Sequence, residues 1–204
     1  MEFLGTDYGG WLLNLDLVPQ NSTIISAGIG EDISFDLELI RRKNCQVVGV
    51  DPTLKSHKFI EAQSDLVNFS LLKKALDKNE DDVVFMYENT NPNYVSESIL
   101  PTHHSVGKNY YCAETITLPE IFKQYENISV VKMDIEGSEY DVLENLIFIP
   151  DSVKQMCIEF HHFCTEYDLE DSQKILEHLK NLGFNQIYSN KPNSIEEVTL
   201  VRNR

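Results

Sequence analysis

The stretch that decides the fold is Thr23-Ile24-Ile25-Ser26-Ala27-Gly28-Ile29-Gly30, with the segment from Glu31 to Lys43 behind it. Thr23 to Ala27 is short, β-branched and apolar, and reads as a buried strand. Gly28-Ile29-Gly30 is a tight turn, after which Ile33, Leu37 and Ile40 recur at helical spacing. The helix is expected to turn those three residues to the core. It should end at Arg41-Arg42-Lys43, cations suited to the negative end of a helix dipole. Strand, glycine turn and helix make a cradle in which backbone can approach a nucleotide closely. The next strand, Gln46 to Val50, ends at Asp51-Pro52, where a carboxylate can reach both hydroxyls of a ribose. The plainer possibilities are a turn that binds nothing and an exposed Asp-Pro turn.

Outward from this unit, strands and helices alternate. Leu54 to Gln63 reads as a helix, and Phe69 to Leu72 and Val83 to Tyr87 as strands. Asn89 to Tyr111, rich in Asn, Ser, Pro and His, reads as a long loop of the kind that often carries function. Thr117-Leu118-Pro119-Glu120 is a capping box for a helix reaching Tyr125. Val130 to Asp134 is a strand, Gly137-Ser138 opens a helix through Leu146, and Gln155 to Phe160 is a further strand. Ile175, Leu176, Leu179 and Leu182 mark an amphipathic helix that stops at Gly183. Asn185 to Ser189 and Val198 to Arg202 lack a helix between them and should pair antiparallel. The expectation is an α/β fold: a doubly wound, mainly parallel, Rossmann-like sheet with a C-terminal antiparallel hairpin. Residues 1–204 are read as one domain, with any ligand beyond the carboxyl ends of the strands.

Composition narrows the partners. A formal net charge of −16 over 204 residues repels phosphate backbones and anionic lipid, so neither nucleic acid nor membrane is expected. Cys45, Cys112, Cys157 and Cys164 form no CxxC pair, which argues against a zinc site; Cys45 and Cys157 sit in apolar runs and read as buried thiols. Met1 to Asp7 lacks a signal-peptide pattern, and no apolar run approaches the roughly 18 residues of a membrane span. A cytoplasmic protein is the default expectation. Nothing in the sequence sets an oligomeric state.

Two features of the cradle count against a dinucleotide. The third glycine of G-x-G-x-x-G would fall at Ile33, and Glu31 and Asp32 would face a pyrophosphate at the helix start. S-adenosylmethionine (SAM) carries no phosphate and avoids the conflict. A second group of charged residues ends two strands. Lys132 and Asp134 share one strand face, as do Glu159 and His161. If the two strands are neighbours, the four side chains converge at one sheet edge. Charges there are costly unless paired or functional; the bland reading is a structural ion-pair network with an incidental histidine.

The segment Val131 to Leu143, VKMDIEGSEYDVL, resembles the K-x-D-x-E-G-x-E hallmark of the FkbM family of SAM-dependent methyltransferases. Lys74-Ala75-Leu76 with Val83-Val84-Phe85 is similar to the family's third-strand region, and Thr115-Ile116-Thr117-Leu118 to its lead-in to the fourth strand. Tyr8-Gly9-Gly10-Trp11 and Gly28 to Phe35 are similar to a eukaryote-type branch of the family. The resemblance implies methyl transfer from SAM to a small-molecule or glycan acceptor, most naturally a hydroxyl. It implies cofactor contacts at Tyr8, Gly9, Gly10, Gly28, Ile29, Gly30, Asp51, Pro52, Ala75 (near the adenine) and Asp134 (near the methionine end). One departure is Ser26, where many methyltransferases carry an acidic residue. The catalytic candidates are His161, Asp134, Glu159 and Lys132. His161 is expected as the base that takes the hydroxyl proton, its ordinary pKa near 6.5 suiting neutral pH, with Glu159 orienting it. No metal is assigned; the rival account has Asp134, Glu159 and His161 holding a divalent ion. An N-methyltransferase, or an inactive module that binds SAM or a partner, is the runner-up function.

Overall fold

A computed structural model describes residues 1–203 except 81, 163–164 and 192–194, so Cys164 lies outside the described residues. In chain order the strands and helices are β1 (Glu2–Leu4), β2 (Trp11–Leu13), β3 (Thr23–Ala27), α1 (Ser34–Lys43), β4 (Gln46–Val50), α2 (Leu54–Ala62), β5 (Phe69–Leu72), β6 (Ala75–Leu76), β7 (Val83–Asn89) and β8 (Val106–Ile116). They continue with α3 (Leu118–Gln124), β9 (Ile128–Met133), α4 (Glu139–Glu144), β10 (Gln155–His161), α5 (Leu169–Asn181), β11 (Phe184–Asn190) and β12 (Ile195–Arg202).

The central sheet has seven strands in the order β11-β12-β10-β9-β3-β4-β5. The strands from β10 to β5 are parallel, whereas β12 is antiparallel to both β10 and β11. This is the expected doubly wound sheet with its C-terminal hairpin, the last strand lying inside the next-to-last. β9 is buried at every position, as a strand covered on both faces must be. Alternate residues of each strand feed two cores. Ile25, Val48 and Val131 pack with Tyr140, Leu143, Ile175 and Leu179 on one face. Ile24, Val47 and Val130 pack with Trp11, Leu13, Phe35 and Leu39 on the other. Cys45 and Cys157 are fully buried in the second core, as their apolar surroundings predict. The capping box at Thr117 and Glu120 is formed.

Two local expectations are corrected. In α1 the buried face is Phe35, Asp36 and Leu39, and Leu37 is 43% exposed. Ile33 is buried as the cap residue, outside the helix. The core phase is therefore set by the Phe35–Leu39 pair, and Leu37 lies about 200° round the helix from Phe35. The stretch Asn89 to Tyr111 is not all loop, because Val106 onward is strand β8, paired antiparallel with β7 in a separate three-stranded sheet ordered β6-β8-β7. Lys108, Asn109 and Tyr110 are exposed along it, so this solvent-facing ribbon needs no apolar run to announce it. Among the described residues no helix is long and apolar enough to cross a membrane.

Candidate active site

A cavity of about 560 Å³ opens at the carboxyl ends of β3, β4, β9 and β10. The candidate cofactor and catalytic residues all line it: Tyr8, Gly9, Gly10, Gly28, Ile29, Gly30, Asp51, Pro52, Ala75, Lys132, Asp134, Glu159 and His161. It is in the size range of small-molecule sites.

At its glycine-turn end the backbone is drawn tight. Gly28 has φ 76°, and a Cβ there would fall 1.6 Å from the carbonyl oxygen of Asp134, so only glycine lets the β3 turn meet the end of β9. Asp51 holds the turn in shape. Its Oδ2 accepts from the N–H groups of Ile29 (2.8 Å) and Gly30 (3.1 Å) and from the Ser56 hydroxyl (2.8 Å). Its Oδ1 accepts from the N–H (2.7 Å) and hydroxyl (2.6 Å) of Thr53. With five protein donors, this carboxylate builds the cradle, whereas its place in the sequence points to the ribose alone. Lys132, buried and 5.7 Å above the Trp11 ring, donates to the carbonyls of Gly28 and Ala27 (3.2 Å to the latter). It stands 3.6 Å from Asp134 Oδ2. These contacts clamp the turn to the end of β9.

Asp36, which sequence reasoning missed, is buried under this end and also lines the cavity. Burial pushes its carboxyl up to about 6, against the opposing charge of Lys132 and the hydroxyl of Ser26. Its Oδ1 has no hydrogen-bond partner among the described residues. Asp36, on the facing helix, thus puts a buried carboxylate beside Ser26.

The other end of the cavity is formed by β9, β10 and the turn after β9. His161, at the end of β10, has 4% of its side chain exposed. Its Nδ1 pairs with Glu139 Oε1 at 3.1 Å. Its Nε2 faces Glu136 Oε2 (3.3 Å), Glu159 Oε1 (3.4 Å) and Asp134 Oδ1 (3.8 Å). Glu139 opens α4 and accepts the N–H groups of Ile135 (2.7 Å) and Gly137 (2.9 Å). Glu136 adopts φ 55°, unusual for a side-chain-bearing residue, and stands 3.2 Å from His103 Nε2 as well. Burial alone would lower the pKa of His161, but the charge and hydrogen bond of Glu139 and the charges of Glu136 and Asp134 win and hold it well above its ordinary value. Burial, reinforced by the Asp134 charge, pushes Glu159 up to about 9. Burial also raises Asp134, while Glu136 is lowered because the His103 hydrogen bond and the His161 charge outweigh its burial. The carboxylates thus favour the charged form of the imidazole, and burial favours the protonated form of Glu159.

Residues 94–97 and 103–105, from the loop between β7 and β8, close one wall of the cavity. Glu136 and Glu139 lie inside the quoted motif, and a charge census of that segment finds them. His103 has no sequence signal, since tertiary packing alone brings it to Glu136.

The family model described as Methyltransferase FkbM domain matches residues 9–185. No curated protein matches the chain. Among solved structures, the fibrillarin pre-rRNA processing protein of Methanococcus jannaschii is similar over 94% of this chain and 70% of its own, with 10% identity and a TM-score of 0.58. The precorrin-6y C5,15-methyltransferase of Geobacter metallireducens is similar over 93% of this chain and 84% of its own, with 9% identity and a TM-score of 0.52. At such identities the likeness is one of fold.

Proposed function

The chain belongs to the FkbM methyltransferase family, a SAM-dependent methyltransferase by that membership, and from this premise we propose that its acceptor is a hydroxyl of a sugar or other small metabolite. The observation that carries the reading is the cluster of Asp134, Glu136, Glu159 and His161 on the cavity wall. A hydroxyl must shed a proton as its oxygen takes the methyl group, and these groups can receive it. A neutral amine attacks without that help. The net charge of −16 disfavours a nucleic-acid acceptor and suits a cationic cofactor.

In this reading residues 1–204 act as one catalytic domain. The glycine turn, Asp51 and Lys132 fix the cofactor cradle, and Asp134 stands where that cradle meets the acceptor. Orientation of the hydroxyl in line with the sulfonium methyl, away from bulk water, supplies much of the rate. The loop around Tyr94 to Ser105 borders the acceptor. A panel of matched sugars, alcohols and amines incubated with methyl-labelled SAM tests the proposal. Labelled O-methyl product is expected; label found only on nitrogen, or on no member of the panel, would overturn it.

A further inference from the structure

One imidazole faces three carboxylates at the cavity wall, and the spacing is unusual for ion pairs. A charge-assisted N–H···O bond closes to about 2.7–2.9 Å. His161 Nε2 stands 3.3 Å from Glu136, 3.4 Å from Glu159 and 3.8 Å from Asp134. The ring is aimed at all three and seated against none. Ligands held about 2.1 Å from an octahedral ion lie about 3.0 Å apart in adjacent positions and about 4.2 Å apart in opposite ones. The separations from Nε2 to Glu136 (3.3 Å), Glu159 (3.4 Å) and Asp134 (3.8 Å) lie between those two values, and one ligand atom each from Asp134, Glu136 and His161 lies within 4.8 Å of the others.

The far side of the ring agrees. Nδ1 is taken by Glu139, itself fixed by two backbone N–H groups. That arrangement sets the ring's tautomer and turns Nε2 into the site, as an outer carboxylate does for a metal-ligating histidine.

We propose that Asp134, Glu136 and His161 bind a divalent cation, Mn²⁺ or Mg²⁺, which activates the acceptor hydroxyl. The two carboxylates favour these hard ions. The inference rests on the hydroxyl reading above and deepens it. The acceptor oxygen sits on the ion, which acidifies its O–H. The cation displaces the proton from His161 Nε2 and holds Glu159 ionised; the O–H bond then breaks and its proton passes to the Glu159 carboxylate. The oxygen's electron pair forms the O–CH₃ bond while the C–S bond breaks. That bonding pair stays on sulfur, leaving neutral S-adenosylhomocysteine (SAH).

The test is a titration of Mn²⁺ into the full chain, read by the loss of the free-ion paramagnetic signal, with SAH binding measured separately in EDTA. Wild type should bind one Mn²⁺. Glu136→Gln and His161→Gln should each weaken that binding at least about tenfold, with melting temperature and SAH affinity kept close to wild type. A chain that binds SAH but leaves millimolar Mn²⁺ free overturns the ion alone, as do variants that bind Mn²⁺ like wild type. A chain that does not bind SAH overturns the methyltransfer reading and the ion's role with it.

Discussion

The two ends of the cavity are built on opposite principles. At the glycine-turn end the polar groups are mostly spoken for: Asp51 has five protein donors, and Lys132 is engaged by the carbonyls of Ala27 and Gly28. At the β9–β10 end His161, held by Glu139 through Nδ1, turns Nε2 to three carboxylates at 3.3–3.8 Å. In the proposed reading the first end is a finished cradle, shaped before the cofactor arrives. The second is left with excess negative charge, and buried unpaired charge is costly. Such an end awaits the rest of its chemistry, so binding and turnover should separate under mutation.

The largest expected effect is at the unfinished end. His161→Ala should lower kcat by about 10²–10⁴-fold while SAH titration stays close to wild type; an equal loss of SAH affinity would erase the contrast. Asp36 is the exception within the cradle and sharpens the comparison. Its folded pKa of about 6 lies above its ordinary 3.8, so its stabilising contribution is full below pH 3.8 and is lost as pH rises through 6. Relative to Asp36→Asn, wild type should lose up to roughly 3 kcal/mol of stability between those limits, at 1.36 kcal/mol per pKa unit. Urea unfolding of both proteins from pH 4 to 7 measures it; a flat difference would remove the buried charge from the account. Asp51→Ala should weaken SAH by about 1.5–3 kcal/mol, roughly ten- to a hundred-and-fifty-fold, through loss of the turn's shape. The smallest effect lies away from both ends. Thr117→Ala breaks a capping box and should cost about 1 kcal/mol of stability with kcat unchanged. A change in kcat there would mean that α3 is coupled to the site.

What the sequence revealed was what its chemistry makes local. Gly28-x-Gly30 is legible because a close backbone approach demands glycine, and the KMDIEGSE segment because charges at the end of a buried strand need a reason. The convergence of Lys132, Asp134, Glu159 and His161 follows from strand alternation once β9 and β10 are neighbours. Further features depend on partners far along the chain. Asp36 carries no signal of its own in the sequence, and its place under the cavity follows from the Phe35–Leu39 pair that sets the phase of α1. His103 sits in an irregular loop, and only the fold of the loop between β7 and β8 brings it to Glu136. Strand β8 was hidden because a ribbon facing solvent carries polar residues where a buried strand would not. Even Asp51 was legible in position more than in role, since the number of donors it serves is a property of the folded turn.

The division of labour between the two ends is tested most directly by one calorimetric titration of SAH into wild type, Asp51→Ala and Glu136→Gln, in EDTA. The account expects Asp51→Ala to lose at least about tenfold in affinity and Glu136→Gln to bind as wild type does. A Glu136→Gln variant as impaired as Asp51→Ala would contradict it, because the acidic cluster would then belong to the cofactor cradle.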